Sequence, residues 1–386
     1  MSERQTLFFI DNLRIALIAL VVAHHAGQAY GPTGGFWYFE NPGRASILGA
    51  FFTVNRSFFM SLFFMISGYF LPASYDRKGA KDFLTDRLRR LGEPLLFFFF
   101  AVIPVMMYTY YLNFRHYGYL PFLRYYSQIY FGRGARPLDW SGTWPDRNLG
   151  HLWFIEHLLV VAVCYTIFRL IHPRLARIGS GGERPPRNFE ILAFTLALAV
   201  VTFVVRIWYP IDKWSAFLGF IQVAFADVPR DLSFFIIGII AYRRNWFINM
   251  PKRTGKVWLL VGLTAAACCY LLWLTGHKYF SGGGFNVPSL VYDFWEAFLC
   301  SGLCIGFLIL FRENLNFQGT LARNLAASTY AVYVFHVPVV VFLQYAISHT
   351  DMAAIIKFAI VTLAAIPITF LISSYIRRLP HVRRVL

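Results

Sequence analysis

Apolar runs of about 20 residues recur along the whole chain, separated by short polar connections. A helix of about 20 apolar residues spans a bilayer, and lipid requires every backbone polar group to be satisfied within the protein. With 58% hydrophobic and 14% charged residues, the chain has too little polar surface for a soluble protein of 386 residues. The sequence therefore predicts an all-α, polytopic integral membrane protein, with a single transmembrane domain over residues 1–386 and no appended soluble domain. Ten spans are predicted, near residues 8–30, 51–73, 92–113, 149–171, 190–209, 229–243, 257–275, 289–311, 325–347 and 354–376.

Two of these spans need a closer argument. The sixth, near 229–243, is the weakest, and the apolar residues 214–226 before it suit a re-entrant or interfacial piece packed beside it. The first span is followed by residues 31–38, which lack a small-residue cleavage pattern. We therefore expect the first span to stay in the protein as a helix, not to be removed as a signal peptide.

Positive charge is concentrated in alternate connections, at residues 77–90, 169–187, 243–256, 312–323 and 377–384. Because cytoplasmic loops carry the excess of Lys and Arg, both termini are predicted to be cytoplasmic. The net charge of +17 is then explained by topology and by contact with anionic lipid. We expect the lipid bilayer as a partner, and no nucleic acid.

Arg14 and His25 flank an apolar run in the first predicted span. A separation of eleven residues is close to three helical turns, so both side chains lie on one face, about 16 Å apart along the axis. Ionisable side chains at membrane depth are costly and face protein or water, which makes this pair a functional candidate. His24 is an alternative to His25, because a rotation of the helix would bring it to the same place.

Arg87 and Arg90 precede a later apolar stretch at residues 95–100. On a continuous helix the two side chains are three residues apart and point the same way. Two guanidinium groups suit a clamp for phosphate, since each donates paired hydrogen bonds to an oxyanion. The alternative is that these arginines only set topology, as basic residues before a span commonly do.

Five further side chains are candidate substrate-binding residues. His151, Trp153 and Glu156 open the fourth span, and Tyr330 and His336 lie within the ninth. A histidine at membrane depth needs a partner or water, which applies most strongly to His336.

No metal site is predicted. The adjacent His24 and His25 point about 100° apart on a helix, and no Cys or carboxylate lies at a recognisable ligand spacing. The five cysteines all fall within apolar runs, where we expect them to act as small hydrophobic side chains.

The connection near 113–148 mixes tyrosines and tryptophans with arginines and aspartates. Such a surface suits the stacking of sugars, because a flat ring covers the apolar face of a sugar while the charges bind hydroxyl or acidic groups. The alternative is an aromatic belt at the membrane interface.

Together, these motifs resemble the membrane acyltransferase family 3, and within it the glucan biosynthesis protein C group. The resemblance covers essentially the whole chain in the expected order. The residues that carry it are Arg14 with His25, Phe63-Phe-Met-Ile-Ser67-Gly68-Tyr-Phe70, Arg87 with Arg90, His151-Leu-Trp153-Phe, Asp231 to Trp246, and Ser328-x-Tyr330-x-x-Tyr333-x-x-His336.

The resemblance implies ten transmembrane helices in a bacterial inner membrane. It implies transfer of an acyl group from cytoplasmic acyl-CoA, such as acetyl-CoA or succinyl-CoA, to an extracytoplasmic glycan or glycolipid, with no permanently bound cofactor. It also implies that His25 and Arg14 are catalytic and that Arg87 and Arg90 contact the CoA end. A neutral His25 would act as general base on the acceptor hydroxyl.

Two other functions stay open at this point. A transporter of small anions would use Arg14, His25 and His336 as a relay, although no internal repeat is visible in the sequence. A non-catalytic membrane scaffold would leave the buried basic groups without a role.

Overall fold

The computed structural model describes residues 7–32, 35–173, 184–217, 221–275, 282–380 and 382–385. About 73% of the structure is helical. The helices are α1 (Phe8–Gly27), α2 (Leu48–Arg56), α3 (Phe59–Arg87), α4 (Glu93–Phe97), α5 (Ile103–Phe114), α6 (Phe122–Arg124), α7 (Trp153–Ile171), α8 (Asn188–Trp208), α9 (Val228–Arg243), α10 (Trp246–Asn249), α11 (Lys252–Leu274), α12 (Val287–Asn314), α13 (Thr320–Ala346) and α14 (Ala354–Ile376). Wider π-helical turns occupy Leu88–Gly92, Phe98–Val102 and Tyr125–Tyr130, and tight 3-10 turns occupy Gly150–Leu152 and Val382–Arg384.

The long apolar helices agree with a multi-pass membrane protein. Within the described ranges, 8 helical stretches are long and apolar enough to cross a membrane. One of them runs over 67 residues from Leu48 to Phe114 and contains the two spans predicted near 51–73 and 92–113. The sixth predicted span corresponds to α9, whose 16 residues are shorter than these stretches. The count of ten spans and the sides of the termini therefore stay predictions.

The region predicted as a re-entrant or interfacial piece is a β-hairpin. Strands β1 (Trp214–Phe217) and β2 (Ile221–Ala224) pair in antiparallel register, with Trp214 opposite Ala224 and Phe217 opposite Ile221. Aromatic and β-branched residues suit a short strand pair, and runs of four residues are too short to cross a membrane. The all-α prediction is wrong for this hairpin.

Small residues allow α3 and α9 to pack closely. A Cβ atom added to Gly68 would lie 2.2 Å from the Phe235 carbonyl oxygen, and one added to Gly238 would lie 2.1 Å from the Met65 carbonyl oxygen. Neither distance is sterically possible, so the two backbones touch only because both positions are glycine. The Ser67-Gly68 motif therefore serves helix packing.

Helix α1 lies inside the bundle, in contact with α12, α13 and α14. Several of its apolar side chains, including Ile10, Ile18 and Val22, are fully or almost fully buried. Because α1 and α13 pack along each other, polar side chains of the two helices meet in the interior.

Candidate active site

The structure brings His25 of α1 together with His336 of α13. His25 Nδ1 and His336 Nε2 lie 2.8 Å apart, within hydrogen-bond distance. The His25 ring also stacks on Trp37, with ring centroids 5.5 Å apart and the planes inclined by 9°. The Trp37 indole in turn donates a 2.7 Å hydrogen bond to the Gln344 side chain on α13. The stacking on Trp37 and the hydrogen bond to His336 thus fix the orientation of His25, whose side chain is partly exposed.

His151 is the third member of this group. Its ring centroid lies 5.0 Å from that of His336, and its Nε2 lies 3.0 Å from the Val334 carbonyl oxygen. The Tyr333 hydroxyl donates back to the His151 carbonyl oxygen. We call His25, His151 and His336 the imidazole cluster.

Pro338 explains why α13 has a carbonyl group to offer His151. In a regular helix the N–H of residue 338 would bond to the carbonyl oxygen of Val334, but proline has no N–H. A buried carbonyl without a partner is costly, and the His151 N–H takes the vacant place. A proline four residues after Val334 therefore creates the docking point for His151.

His24 has a different environment from its neighbour. Its buried ring packs among Phe51, Phe52 and Phe59, at centroid distances of 6.2, 5.1 and 5.1 Å. Its Nδ1 atom is buried and has no hydrogen-bond partner among the described residues. Of the two adjacent histidines, only His25 combines a defined hydrogen-bond partner in the imidazole cluster with partial exposure.

Arg14 lies on the same helix but at a distance from this cluster. Its guanidinium group is 3.6 Å from the Asp11 carboxylate, and its side chain is 34% exposed. Eleven residues of helix separate it from His25 by about 16 Å along the axis. The structure therefore places Arg14 toward the N-terminal end of α1, beside Asp11.

Arg87 and Arg90 lie where α3 passes into the first π-helical turn. The regular helix assumed for this pair ends at Arg87, so the wider turn changes their relative directions. The Arg87 guanidinium covers the Phe83 ring at 5.1 Å, and its buried Nε has no hydrogen-bond partner within the described ranges. Arg90 Nε lies 3.3 Å from Asp86, and the Tyr330 hydroxyl donates a 2.5 Å hydrogen bond to the Arg90 carbonyl oxygen. Tyr330 thus joins α13 to the arginine pair.

Glu156 and its neighbour His157 hold the β-hairpin. A Glu156 carboxylate oxygen accepts a 3.1 Å hydrogen bond from the Gln222 backbone N–H, and His157 Nε2 lies 3.0 Å from the Gln222 carbonyl oxygen. Trp153 contacts both His157 and Trp214, at ring-centroid distances of 5.2 and 5.7 Å. These side chains therefore bind backbone and aromatic groups of the hairpin, a contact that could not be foreseen while the hairpin itself was unrecognised.

Aromatic side chains of the connection after α5 pack largely against each other. Trp140 is only 4% exposed, and it stacks on Tyr117 at 5.1 Å and under the Arg115 guanidinium at 4.2 Å. Arg115 also forms a 2.6 Å ion pair with Asp146. Burial raises the pKa of Asp146, and Arg115 and Tyr125 offset only part of that effect. This packing accounts for Trp140 and Tyr117 without any bound sugar, while Tyr119 remains 79% exposed.

Sequence reasoning missed a buried network of charges, which we call the ion network. Arg206 has no exposed side-chain surface, and it lies 2.5 Å from Asp293 and 2.7 Å from Glu296. Arg230 lies 2.7 Å from Glu296 and 3.4 Å from Asp227. The network joins α2, α8, α9 and α12, and its members are Arg56, Arg206, Asp227, Arg230, Asp231, Asp293 and Glu296.

Asp227 lies at the centre of this network, just before α9. Burial alone would raise the pKa of its carboxyl, but Arg56, Arg230 and Arg206 outweigh burial and hold that pKa below its ordinary value. The available signal in the sequence was the presence of Arg206, Asp293 and Glu296 within or beside apolar helices, where an unpaired charge is costly.

The helical bundle holds hydrogen-bonded imidazoles in its interior and two arginines at the end of a long helix. This arrangement is compatible with a membrane-bound transferase. Comparison with known proteins gives the family: the chain belongs to the acyltransferase 3 family, whose acyltransferase domain matches residues 7–376. It is therefore a membrane enzyme of the O-acyltransferase class.

Relatives of the chain include proteins named Glucans biosynthesis protein C from Escherichia coli O81 (strain ED1a) and Escherichia coli (strain K12). Each is 23% identical over 352 residues, which cover 87% of this chain and 82% of the relative. No solved structure shows significant similarity to the chain.

Proposed function

We propose that the enzyme transfers an acyl group from cytoplasmic acyl-CoA to a hydroxyl group of an extracytoplasmic glycan or glycolipid, with His25 as the general base. The observation that carries this proposal is the 2.8 Å hydrogen bond between His25 Nδ1 and His336 Nε2. That bond leaves the opposite ring nitrogen of a partly exposed histidine to meet a substrate. The names of the relatives support a glucan or a related glycan as the acceptor.

The proposed reaction conserves protons. The acceptor oxygen forms a bond to the thioester carbonyl carbon while its proton passes to His25 Nε2. The carbon–sulfur bond then breaks, and His25 returns the proton to the CoA thiolate. The products are an ester of the acceptor and free CoA, with no further co-reactant.

The donor enters, in this proposal, from the cytoplasmic side past Arg87 and Arg90. Several phosphates cannot enter lipid, whereas the narrow pantetheine arm can extend into the bundle from an arginine-lined mouth. Arg87 suits the phosphate contact because its buried Nε lacks a hydrogen-bond partner among the residues described. Arg14 lies between the predicted cytoplasmic end of α1 and His25, so we assign it to the arm of the donor rather than to the reacting carbonyl.

The inner membrane of a bacterium is the compartment that this scheme requires. Acyl-CoA is available on the cytoplasmic side, and the envelope glycans lie on the other. Membership of the acyltransferase 3 family favours this enzyme over the transporter and over the scaffold.

The test is release of free CoA by membranes that contain the full-length protein, supplied with acetyl-CoA or succinyl-CoA and an envelope glucan acceptor. His25→Ala should lower transfer by about 10²- to 10⁴-fold, the usual contribution of a general base. His349→Ala is the matched control, because His349 is exposed, follows the end of α13 and is not part of the imidazole cluster. Full activity of a folded His25→Ala protein would refute His25 as the base, and transport of an intact solute without CoA release would favour the transporter.

A further inference from the structure

His336 is fully buried in α13, and both of its ring nitrogens have partners. Its Nδ1 lies 2.7 Å from the Tyr333 carbonyl oxygen, and its Nε2 lies 2.8 Å from His25 Nδ1. The first partner belongs to the backbone of its own helix, and the second belongs to the proposed base. His336 therefore connects His25 to a fixed point in the protein.

The hydrogen-bond partners assign the protons in this chain of groups. A carbonyl oxygen only accepts hydrogen bonds. His336 Nδ1 must therefore carry a proton and donate a hydrogen bond to the Tyr333 carbonyl oxygen. A neutral imidazole has one ring proton, which leaves His336 Nε2 as an acceptor. His25 Nδ1 must then be the donor, and the neutral His25 ring has its lone pair on Nε2.

This assignment requires a neutral His336, and its surroundings favour that state. The groups that face the ring are the imidazoles of His25 and His151, the Tyr333 ring, and the backbone carbonyls of Tyr333 and Val332, none of which carries a negative charge. Burial of an unpaired positive charge beside two further imidazoles is costly. A charged His336 would also carry a proton on Nε2 and donate it in a hydrogen bond to His25 Nδ1. The proton of a neutral His25 would then lie on Nε2, and that nitrogen could not accept the proton of the acceptor hydroxyl.

Two further hydrogen bonds hold the turn of α13 whose Tyr333 carbonyl oxygen orients His336. His151 donates to the Val334 carbonyl oxygen, and the Tyr333 hydroxyl donates to the His151 carbonyl oxygen. These two contacts tie the start of α7 to the same turn of α13 that carries the Tyr333 carbonyl. The acceptor that orients His336 is therefore fixed from two elements.

We propose that His336 is a positioning residue that selects the Nδ1-protonated form of His25 and so keeps His25 Nε2 free to accept the proton of the acceptor hydroxyl. The inference rests on the proposed function, because it takes His25 as the base. His336 neither gains nor loses a proton in the reaction. Once His25 is protonated on Nε2, its Nδ1–H still donates to His336, which stabilises the imidazolium until the thiolate takes the proton.

Three substitutions at one position separate this role from simple packing. His336→Gln places an amide oxygen near the former Nε2, where it can accept from His25. His336→Asn places its amide nearer the former Nδ1, where it can donate to Tyr333 but falls short of His25. His336→Leu removes both bonds and keeps an apolar side chain of similar bulk.

The experiment measures kcat and KM for acetyl-CoA by CoA release, with the full-length protein in membranes and its thermal unfolding in detergent. We expect kcat of His336→Leu and His336→Asn to fall at least about tenfold, the equivalent of one buried hydrogen bond, with little change in KM. His336→Gln should keep most of the kcat. If the Leu variant fails to fold, the polar Gln and Asn pair still carries the comparison.

Equal kcat in the folded Gln and Asn variants would overturn the inference, whether both are active or both are inactive. That result can be told apart from failure of the proposed function. If His25→Ala has lost activity while Gln and Asn at position 336 are equal, only the positioning role is refuted. If His25→Ala remains active, the base assignment itself is wrong.

Discussion

The ion network and the imidazole cluster are two buried polar regions that join helices, and they satisfy their polar groups in different ways. In the ion network each guanidinium has carboxylate partners, and Arg206 has three. In the imidazole cluster the bonds run between neutral rings and backbone carbonyls, and His151 Nδ1 is buried without a described partner. Charges that neutralise each other hold helices in place, whereas the proposed proton transfer requires a ring nitrogen whose lone pair has no partner within the protein.

Substitutions in the two regions should therefore affect different properties of the protein. Removing one partner of a buried ion pair leaves an uncompensated charge and typically costs about 3–5 kcal/mol of stability. Removing an imidazole leaves no charge behind, so the effect should be seen mainly in the rate of reaction. The following predictions test that contrast, beginning with the largest effect.

Arg206→Met should cause the largest loss of stability. The substitution leaves Asp293 and Glu296 without their shared guanidinium, at a position where the Arg206 side chain has no solvent exposure. We therefore expect the free energy of unfolding to fall by about 3–5 kcal/mol, with little folded protein. The measurement is the thermal unfolding midpoint in detergent. Arg184→Met is the matched control, because Arg184 pairs with Glu190 at the surface with 58% exposure and should change stability by less than about 1 kcal/mol. Similar unfolding midpoints for the two variants would contradict the structural role of the network.

Arg87→Lys should weaken donor binding without loss of stability. Lysine keeps the positive charge but loses the fork that binds two phosphate oxygens, so KM for acyl-CoA should rise about tenfold. Arg89→Lys serves as control, because Arg89 is 42% exposed and lies 3.8 Å from Glu93. Unchanged donor affinity in both Arg87→Ala and Arg90→Ala would mean that these arginines only set topology.

Pro338→Ala should lower activity while stability stays the same or rises. The new N–H at position 338 would bond to the Val334 carbonyl oxygen and compete with His151 for it. A hydrogen bond of about 0.5–1.5 kcal/mol corresponds to a loss of roughly two- to thirteenfold in kcat. Steady-state kinetics and the unfolding midpoint, measured on the same preparation, check whether the two properties separate. An unchanged kcat would show that the Val334 contact is not needed for the reaction.

His24→Leu should have the smallest effect on activity. Its ring lies among phenylalanines and its buried Nδ1 lacks a partner among the described residues, so an apolar side chain fits the site well. We expect substantial activity to remain and stability to be equal or slightly higher, since a buried polar atom without a partner is removed. Loss of transfer comparable to that of His25→Ala, in a folded protein, would make His24 the better candidate for the base.

The sequence predicted those features that depend on a single residue or on a continuous apolar run. Apolar runs predicted the long helices, because a run of about 20 apolar residues is a property of the local sequence. His25 and His336 were recognised as candidates, but their contact was not, because 311 positions separate them and no period encodes which helices touch. The β-hairpin was missed because four-residue strands in an apolar region look like any other apolar run.

The ion network was missed for a further reason. Arg206, Asp227 and Glu296 belong to different parts of the chain, and each alone is an isolated charge beside an apolar run. Their mutual neutralisation exists only once α8, α9 and α12 are assembled. The same holds for Glu156, whose partner is the backbone of Gln222.

Tyr330, Tyr333 and His336 lie at intervals of three residues on one continuous helix. Tyr330 is bonded to the backbone of Arg90, and His336 is bonded to His25, over a rise of only about 9 Å. An α-helix is stiff over two turns, so the spacing between these two contacts is set by the helix itself. The turn that carries Arg90 and the His25 side chain of α1 are therefore held at a defined distance from each other by one short stretch of α13.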